Sequence, residues 1–131
     1  MTHLKTRIVA GLLGAAALGL FAGQAQAKGP DTPCFFITQW QGWKSPSENV
    51  LYLGVNMHDV YRVDLSAGSS MLQYGDVHLI SEVRGSSSIC SALDLQLSVA
   101  DTGGMRVPLI ASKLTKLTPE EVAAIPKKYR P

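Results

Sequence analysis

Histidine, cysteine and charge are all thin in this chain. Its 131 residues include three histidines and two cysteines, and Asp, Glu, Lys and Arg together make up 17%. A metal site of the zinc type needs three or four convergent ligands. Past the first residues, His58-Asp59 and Asp76-x-His78 are the His/acid neighbours, and the scattered acids around them specify no such set. The chain lacks Cys-x-x-Cys, which removes the usual redox dithiol. It also lacks a Gly-x-x-x-x-Gly-Lys phosphate loop and a Gly-x-Ser-x-Gly elbow for a nucleophilic serine. No apolar run reaches the roughly 20 residues that a membrane-spanning helix requires. Neither internal repeats nor long low-complexity stretches interrupt it.

What is present begins with a leader. Lys5 and Arg7 precede an apolar run from Ile8 to Ala22, which passes through Gly23 to Ala25-Gln26-Ala27. A basic start, a short apolar middle and a small-x-small end make a secretory signal. Residues 1–27 therefore read as a cleavable signal peptide, cut between Ala27 and Lys28. Lys28 stands where a lipoprotein would carry cysteine, and no Arg-Arg pair marks the twin-arginine route. The expected destination is the Gram-negative periplasm, reached by the general secretory route.

The leader carries two of the 12 basic residues and none of the 10 acidic ones, so the mature chain is formally neutral. That removes the electrostatic support for nucleic-acid binding. Charge is nevertheless uneven. Residues 28–101 hold four basic and eight acidic side chains, and residues 102–131 hold six and two. Lys127, Lys128 and Arg130 make 126–131 a basic tail that reads as solvated and frayed. The sharper alternative is weak contact with anionic lipid, worth up to about 1 kcal/mol per basic residue.

Cys34 and Cys90 both lie beyond the leader. An even count in an oxidising compartment predicts a disulfide, and two cysteines allow one intramolecular pairing. It would close a loop of 57 residues.

Strand patterns dominate the rest. Residues 28–33 are a polar lead-in with two prolines. Cys34–Trp40 reads as a strand and Gln41–Asn49, with Gly42 and Pro46, as a loop. Val50–Val55 and Val60–Leu65 flank the polar turn Asn56-Met57-His58-Asp59 and predict an antiparallel hairpin. Tyr61, Val63 and Leu65 share one face of the second strand. Ser66–Ser70 is a turn around Gly68, Val77–Val83 a further strand, and Arg84–Ser88 a Gly/Ser loop. Leu93, Leu95, Leu97 and Val99 alternate with Asp94, Gln96 and Ser98, the period of two of a half-buried strand. Asp101-Thr102-Gly103-Gly104 turns the chain into its partner, Met105–Ser112. Last, Thr118-Pro119-Glu120-Glu121 has the spacing of a capping box, with Pro119 at the first helical position. Pro126 stops that helix, and Val122 and Ile125 are placed to dock it. The expected fold is all-β, or β-rich α+β: a small antiparallel barrel or sandwich with one short C-terminal helix and one disulfide, a single domain over residues 34–125.

Trp40-Gln41-Gly42-Trp43 is the leading surface candidate. Two indoles at a strand end can form a stacking platform for a sugar or peptide, or they can plug an open end of the core. Glu120-Glu121 is the adjacent carboxylate pair, and the helix cap accounts for it.

The segments Cys34-Phe35-Phe36-Ile37, Val50-Leu51-Tyr52-Leu53, Tyr61-Arg62-Val63-Asp64-Leu65, Ser88-Ile89-Cys90 with Asp94, and Lys116 through Val122 carry a resemblance across nearly all of residues 34–125. In their order the chain resembles a family of small exported Gram-negative bacterial proteins catalogued as a domain of unknown function. Members carry two further cysteines near positions matching Ser69 or Ser70 and Pro108 or Leu109, which this chain lacks. If those two pair with each other, the resemblance implies Cys34 with Cys90. It implies export and a compact β-rich domain, and no reaction. The periplasmic lysozyme inhibitors are similar in outline, but Ser66-Ala67-Gly68 and Tyr74 do not reproduce their Ser-Gly-x-x-Tyr loop.

The expectation is thus a non-catalytic exported domain without cofactor or metal, with a binding or envelope-structural role toward a protein or envelope component. An inhibitor of a secreted enzyme would project Ser or Tyr from an exposed loop. A hydrolase would hold His58 or His78 beside an acid in a concave pocket.

Overall fold

Alternation of apolar and polar residues decides where most strands run. The computed structural model describes residues 34–131; the leader 1–27, the cut at Ala27–Lys28 and the lead-in 28–33 lie outside them. In chain order the strands are β1 (Phe35–Phe36), β2 (Trp40–Ser47), β3 (Val50–Val55), β4 (Asp59–Ala67), β5 (Val77–Glu82), β6 (Ser88–Ile89), β7 (Gln96–Asp101) and β8 (Arg106–Lys116). One helix, α1 (Pro119–Ala124), follows. Leu51, Leu53 and Val55 of β3 and Val63 of β4 are wholly buried, as is Val99 of β7. Full burial of such a side chain stabilises by about 1.5–3 kcal/mol.

Six strands form one antiparallel sheet in the order β2-β3-β4-β8-β7-β5. It curls into a nearly closed barrel with β2 and β5 as its edges. The hairpin of β3 and β4 turns at Asn56, whose positive φ of 52° is one that asparagine tolerates better than most residues.

β1 and β6 form a separate antiparallel pair, Phe35 opposite Ile89 and Phe36 opposite Ser88. One step further along that register, Cys34 and Cys90 are joined in a disulfide with Cα atoms 4.2 Å apart. Phe35 and Ile89 enter the core, and the Phe35 ring meets Tyr61 at 4.7 Å between centroids. The sequence-predicted bond and fold class are thus present.

Three local expectations differ. Cys34–Trp40 is not one strand: Ile37–Gln39 forms a 3-10 turn, and the expected loop at Gln41–Asn49 is largely β2. Gly42, Pro46 and the serines suit a loop, yet β2 lies at a sheet edge, where proline is tolerated. Its pairing with β3 breaks register between Trp40 and Gly42 and between Lys44 and Ser47. Buried Ser45 steadies the second break, its hydroxyl lying 2.9 Å from the Val50 carbonyl oxygen and accepting from Gln73 Nε2 at 3.2 Å.

Leu93 does not join the inward row of Leu95, Leu97 and Val99. Ala92–Asp94 is a 3-10 turn that leaves Leu93 85% exposed. The Asp94 carboxylate accepts from the Cys90 amide at 2.9 Å, the Ser91 amide at 2.8 Å and the Ser91 hydroxyl at 3.1 Å. Such local bonds offer the backbone an alternative to a strand.

β8 is longer than expected. Inward residues run Leu109, Ala111, then Leu114, because a bulge at Ser112 shifts the register against β4. The period of two breaks there, at the residue where the pattern runs out.

The capping box of α1 forms as spaced: Glu121 N–H donates to Thr118 Oγ1 at 3.2 Å, and Thr118 N–H to Glu121 Oε2 at 2.8 Å. Ile125 is buried. Residues 126–131 turn back instead of trailing. Lys127–Tyr129 is a 3-10 turn, and Arg130 donates to the carbonyls of Ile125 at 2.9 Å and Ala123 at 2.6 Å. A cation on the last carbonyls of a helix is favourable there. Lys127 and Lys128 remain exposed. Among the described residues no helix is long and apolar enough to cross a membrane.

Candidate binding groove

The register of β5, β7 and β8 sorts their side chains onto two faces. Ser98 lies between Ile80 and Pro108, and Gln96 between Glu82 and Ile110. Because Leu97, Val99 and Leu109 point into the core, these residues form the outward face. Pro108 fits because pairing with β4 begins only at Ile110, so β7 alone flanks it.

A groove of about 520 Å³ lies along this face, lined among others by Leu93, Gln96, Pro108, Ile110, Glu82 and Arg106. Two of its apolar members are open to solvent, Leu93 at 85% and Ile110 at 58%, while Leu95, Leu97 and Leu109 form its buried floor. An ion cluster forms the rim. Arg106 donates to Glu82 at 2.5 Å and Arg84 lies 3.5 Å from it. The hydrogen bond from Arg106, with its charge and that of Arg84 behind, holds the Glu82 carboxyl below its ordinary range. Two cations share one anion, so the rim keeps an excess of positive charge.

Sequence reasoning did not find this groove. Two signals were available. Ser91-x-x-Asp94 has the spacing of a capping box and marks a turn that takes Leu93 out of the strand. Leu109-Ile110 places two apolar residues in succession on a strand, and one of them must face out.

The tryptophans lie at a different place on the barrel. Trp40 and Trp43 are half-buried and pack against the core. With Gln41, Gly42 and Leu79 they line a shallow cleft of about 220 Å³. Leu79 belongs to β5, so the two indoles cover the seam between the edges of the barrel. Trp40 Nε1–H donates to the Gly42 carbonyl at 2.8 Å, which satisfies its polar end within its own strand.

The other candidates stay apart. His58 lies exposed in the β3–β4 turn and His78 is exposed on β5; neither lines the groove. Among the described residues no three His, Cys, Asp or Glu side chains converge as a metal site would require. Glu121 is held by the helix cap.

Comparison with family models, with curated proteins and with solved structures finds no match to this chain.

Proposed function

We propose that this chain is an exported, non-catalytic domain of the Gram-negative periplasm, and that it works by binding a protein or envelope component through the outward face of β5, β7 and β8. One observation carries the reading: Leu93 and Ile110 stand exposed in one groove. Apolar side chains gathered at the surface and rimmed by charge are the usual mark of a contact site. Export is supported by the leader at 1–27 and by the Cys34–Cys90 bond, which suits an oxidising compartment.

The test is affinity purification from the periplasm with wild-type bait and with a Leu93→Ser/Ile110→Ser variant. A partner recovered by the wild type and lost by the variant, with the melting temperatures alike, supports the groove. Identical recoveries from both baits overturn it.

A second reading, inhibition of a secreted enzyme, rests on Tyr74. It is 58% exposed in the segment between the 3-10 turn Ser70–Gln73 and β5, where it can enter a partner's cleft. Loss of inhibition on Tyr74→Ala would favour this reading over the groove.

A further inference from the structure

The Cys34–Cys90 bond lies at the surface, and a short chain of contacts joins it to the groove. Both cysteines are exposed, and exposure is what admits an attacking thiolate to a disulfide. The bond ties β1 to β6, a pair with two residues in each strand. So short a ladder is marginal without its tie. The six-stranded sheet contains neither β1 nor β6, so the barrel keeps its own hydrogen bonds when that pair opens.

Cys90 also anchors the turn that carries Leu93. Its N–H donates to Asp94 Oδ2 at 2.9 Å, and Ser91 N–H donates to the same oxygen at 2.8 Å. Asp94 N–H in turn reaches the Ser91 carbonyl at 3.2 Å. Leu93 sits inside this turn and lines the groove with Ile110 of β8. Buried Leu95 fixes one end of the turn, and the disulfide at Cys90 fixes the other. Between those ends Ser91, Leu93 and Asp94 are all exposed. A segment held by exposed hydrogen bonds and few buried contacts is the kind that opens locally. Cutting the bond frees the Cys90 amide from its fixed place, and Asp94 then loses a donor that shapes the turn.

We propose that the Cys34–Cys90 bond is a redox switch on the groove: oxidised, it sets Leu93 beside Ile110, and reduced by a protein dithiol, it lets the Ser91–Asp94 turn carry Leu93 out of place. The effect on binding rests on the groove being the contact site; the coupling of bond to groove does not. The exchange balances. One thiolate of the dithiol bonds to one sulfur, and the electron pair of the S–S bond passes to the other sulfur, which takes up a proton. The second thiol of the dithiol loses its proton and displaces the sulfur still held. Both cysteines end as thiols and the dithiol as its disulfide.

The test is nuclear magnetic resonance of leucine methyls in the exported protein, before and after dithiothreitol. The Leu93 signals should shift on reduction and return on reoxidation, while those of Leu51 and Leu53 in β3 stay in place. Asp94→Ala should shift the Leu93 signals of the oxidised protein and make them insensitive to dithiothreitol, because the link is already cut. Leu93 signals that ignore reduction overturn the proposal. So does unfolding of the whole domain on reduction, seen as loss of the Leu51 and Leu53 signals. Periplasmic affinity purification with a Cys34→Ser/Cys90→Ser bait reads the effect on binding. A partner that needs Leu93 and Ile110 should be lost from this bait, and its full recovery overturns the switch. If the Leu93→Ser/Ile110→Ser bait loses no partner while the Leu93 signals still follow reduction, the groove reading fails and the coupling stands.

Discussion

Replacing Cys34 and Cys90 together by serine removes a tie between positions 56 apart in the chain. For a closed loop of that length, the loss of unfolded-state entropy is worth about 4 kcal/mol. The native side adds little to this figure directly, because both cysteines are exposed and serine there buries nothing new. It adds something indirectly. The pair β1 and β6 has two residues in each strand, and so short a ladder is marginal once untied. Phe35 would then hold its place against Tyr61 through packing alone. The expected loss is therefore about 4 kcal/mol, a large share of the roughly 5–15 kcal/mol typical of a domain. Urea unfolding of oxidised wild type and the double variant, followed by far-ultraviolet circular dichroism, measures it. The slope with urea should also rise, because the untied chain exposes more surface when unfolded. A loss below about 1 kcal/mol would refute the loop-entropy reasoning.

Two other perturbations have expected outcomes. Gly68→Ala should destabilise by about 1–3 kcal/mol, because its Cβ would lie 1.8 Å from the Glu48 carbonyl oxygen, a backbone atom with nowhere to go; Gly75→Ala, with open space around it, should leave the urea midpoint unmoved. The Asp94 carboxyl lies below its ordinary range, first through the Cys90 amide and then through Ser91. Its folded value is the lower one, so its contribution is present above the unfolded range of about 3.9 and is lost as pH falls through the folded value. Melting temperature against pH should accordingly flatten at its acid end in Asp94→Ala, and an unchanged acid limb would sink the assignment.

How much of the fold was legible depended on how local its cause is. The β3–β4 hairpin follows from Leu51, Leu53 and Val55 alternating ahead of a polar turn, and α1 follows from four consecutive residues that satisfy each other. The disulfide needed only a count and a compartment. Strand β2 was hidden because Gly42 and Pro46 are loop residues by composition, and only its place at a sheet edge makes them acceptable. Non-local facts were out of reach as well. The pairing of β5 with β7 passes over β6, and the fold of 126–131 rests on Arg130 reaching carbonyls five and seven residues back.

The groove was hidden for a different reason. Local pattern and tertiary placement usually agree in a natural sequence, and they tend to part company where a residue serves something besides the fold. Leu93 continues the apolar row of Leu95, Leu97 and Val99 in sequence, yet Asp94 turns the backbone under it and leaves it outside. Ile110 follows Leu109 on a strand whose period assigns it a polar place, and it too stands outside. Each departure alone is an ordinary exposed residue. Here both fall in one groove, beside the same ion cluster. Core packing explains neither, since burying either side chain would stabilise the isolated domain more than exposing it does. What the two share is a surface, and a surface of that kind gains its free energy only when something covers it.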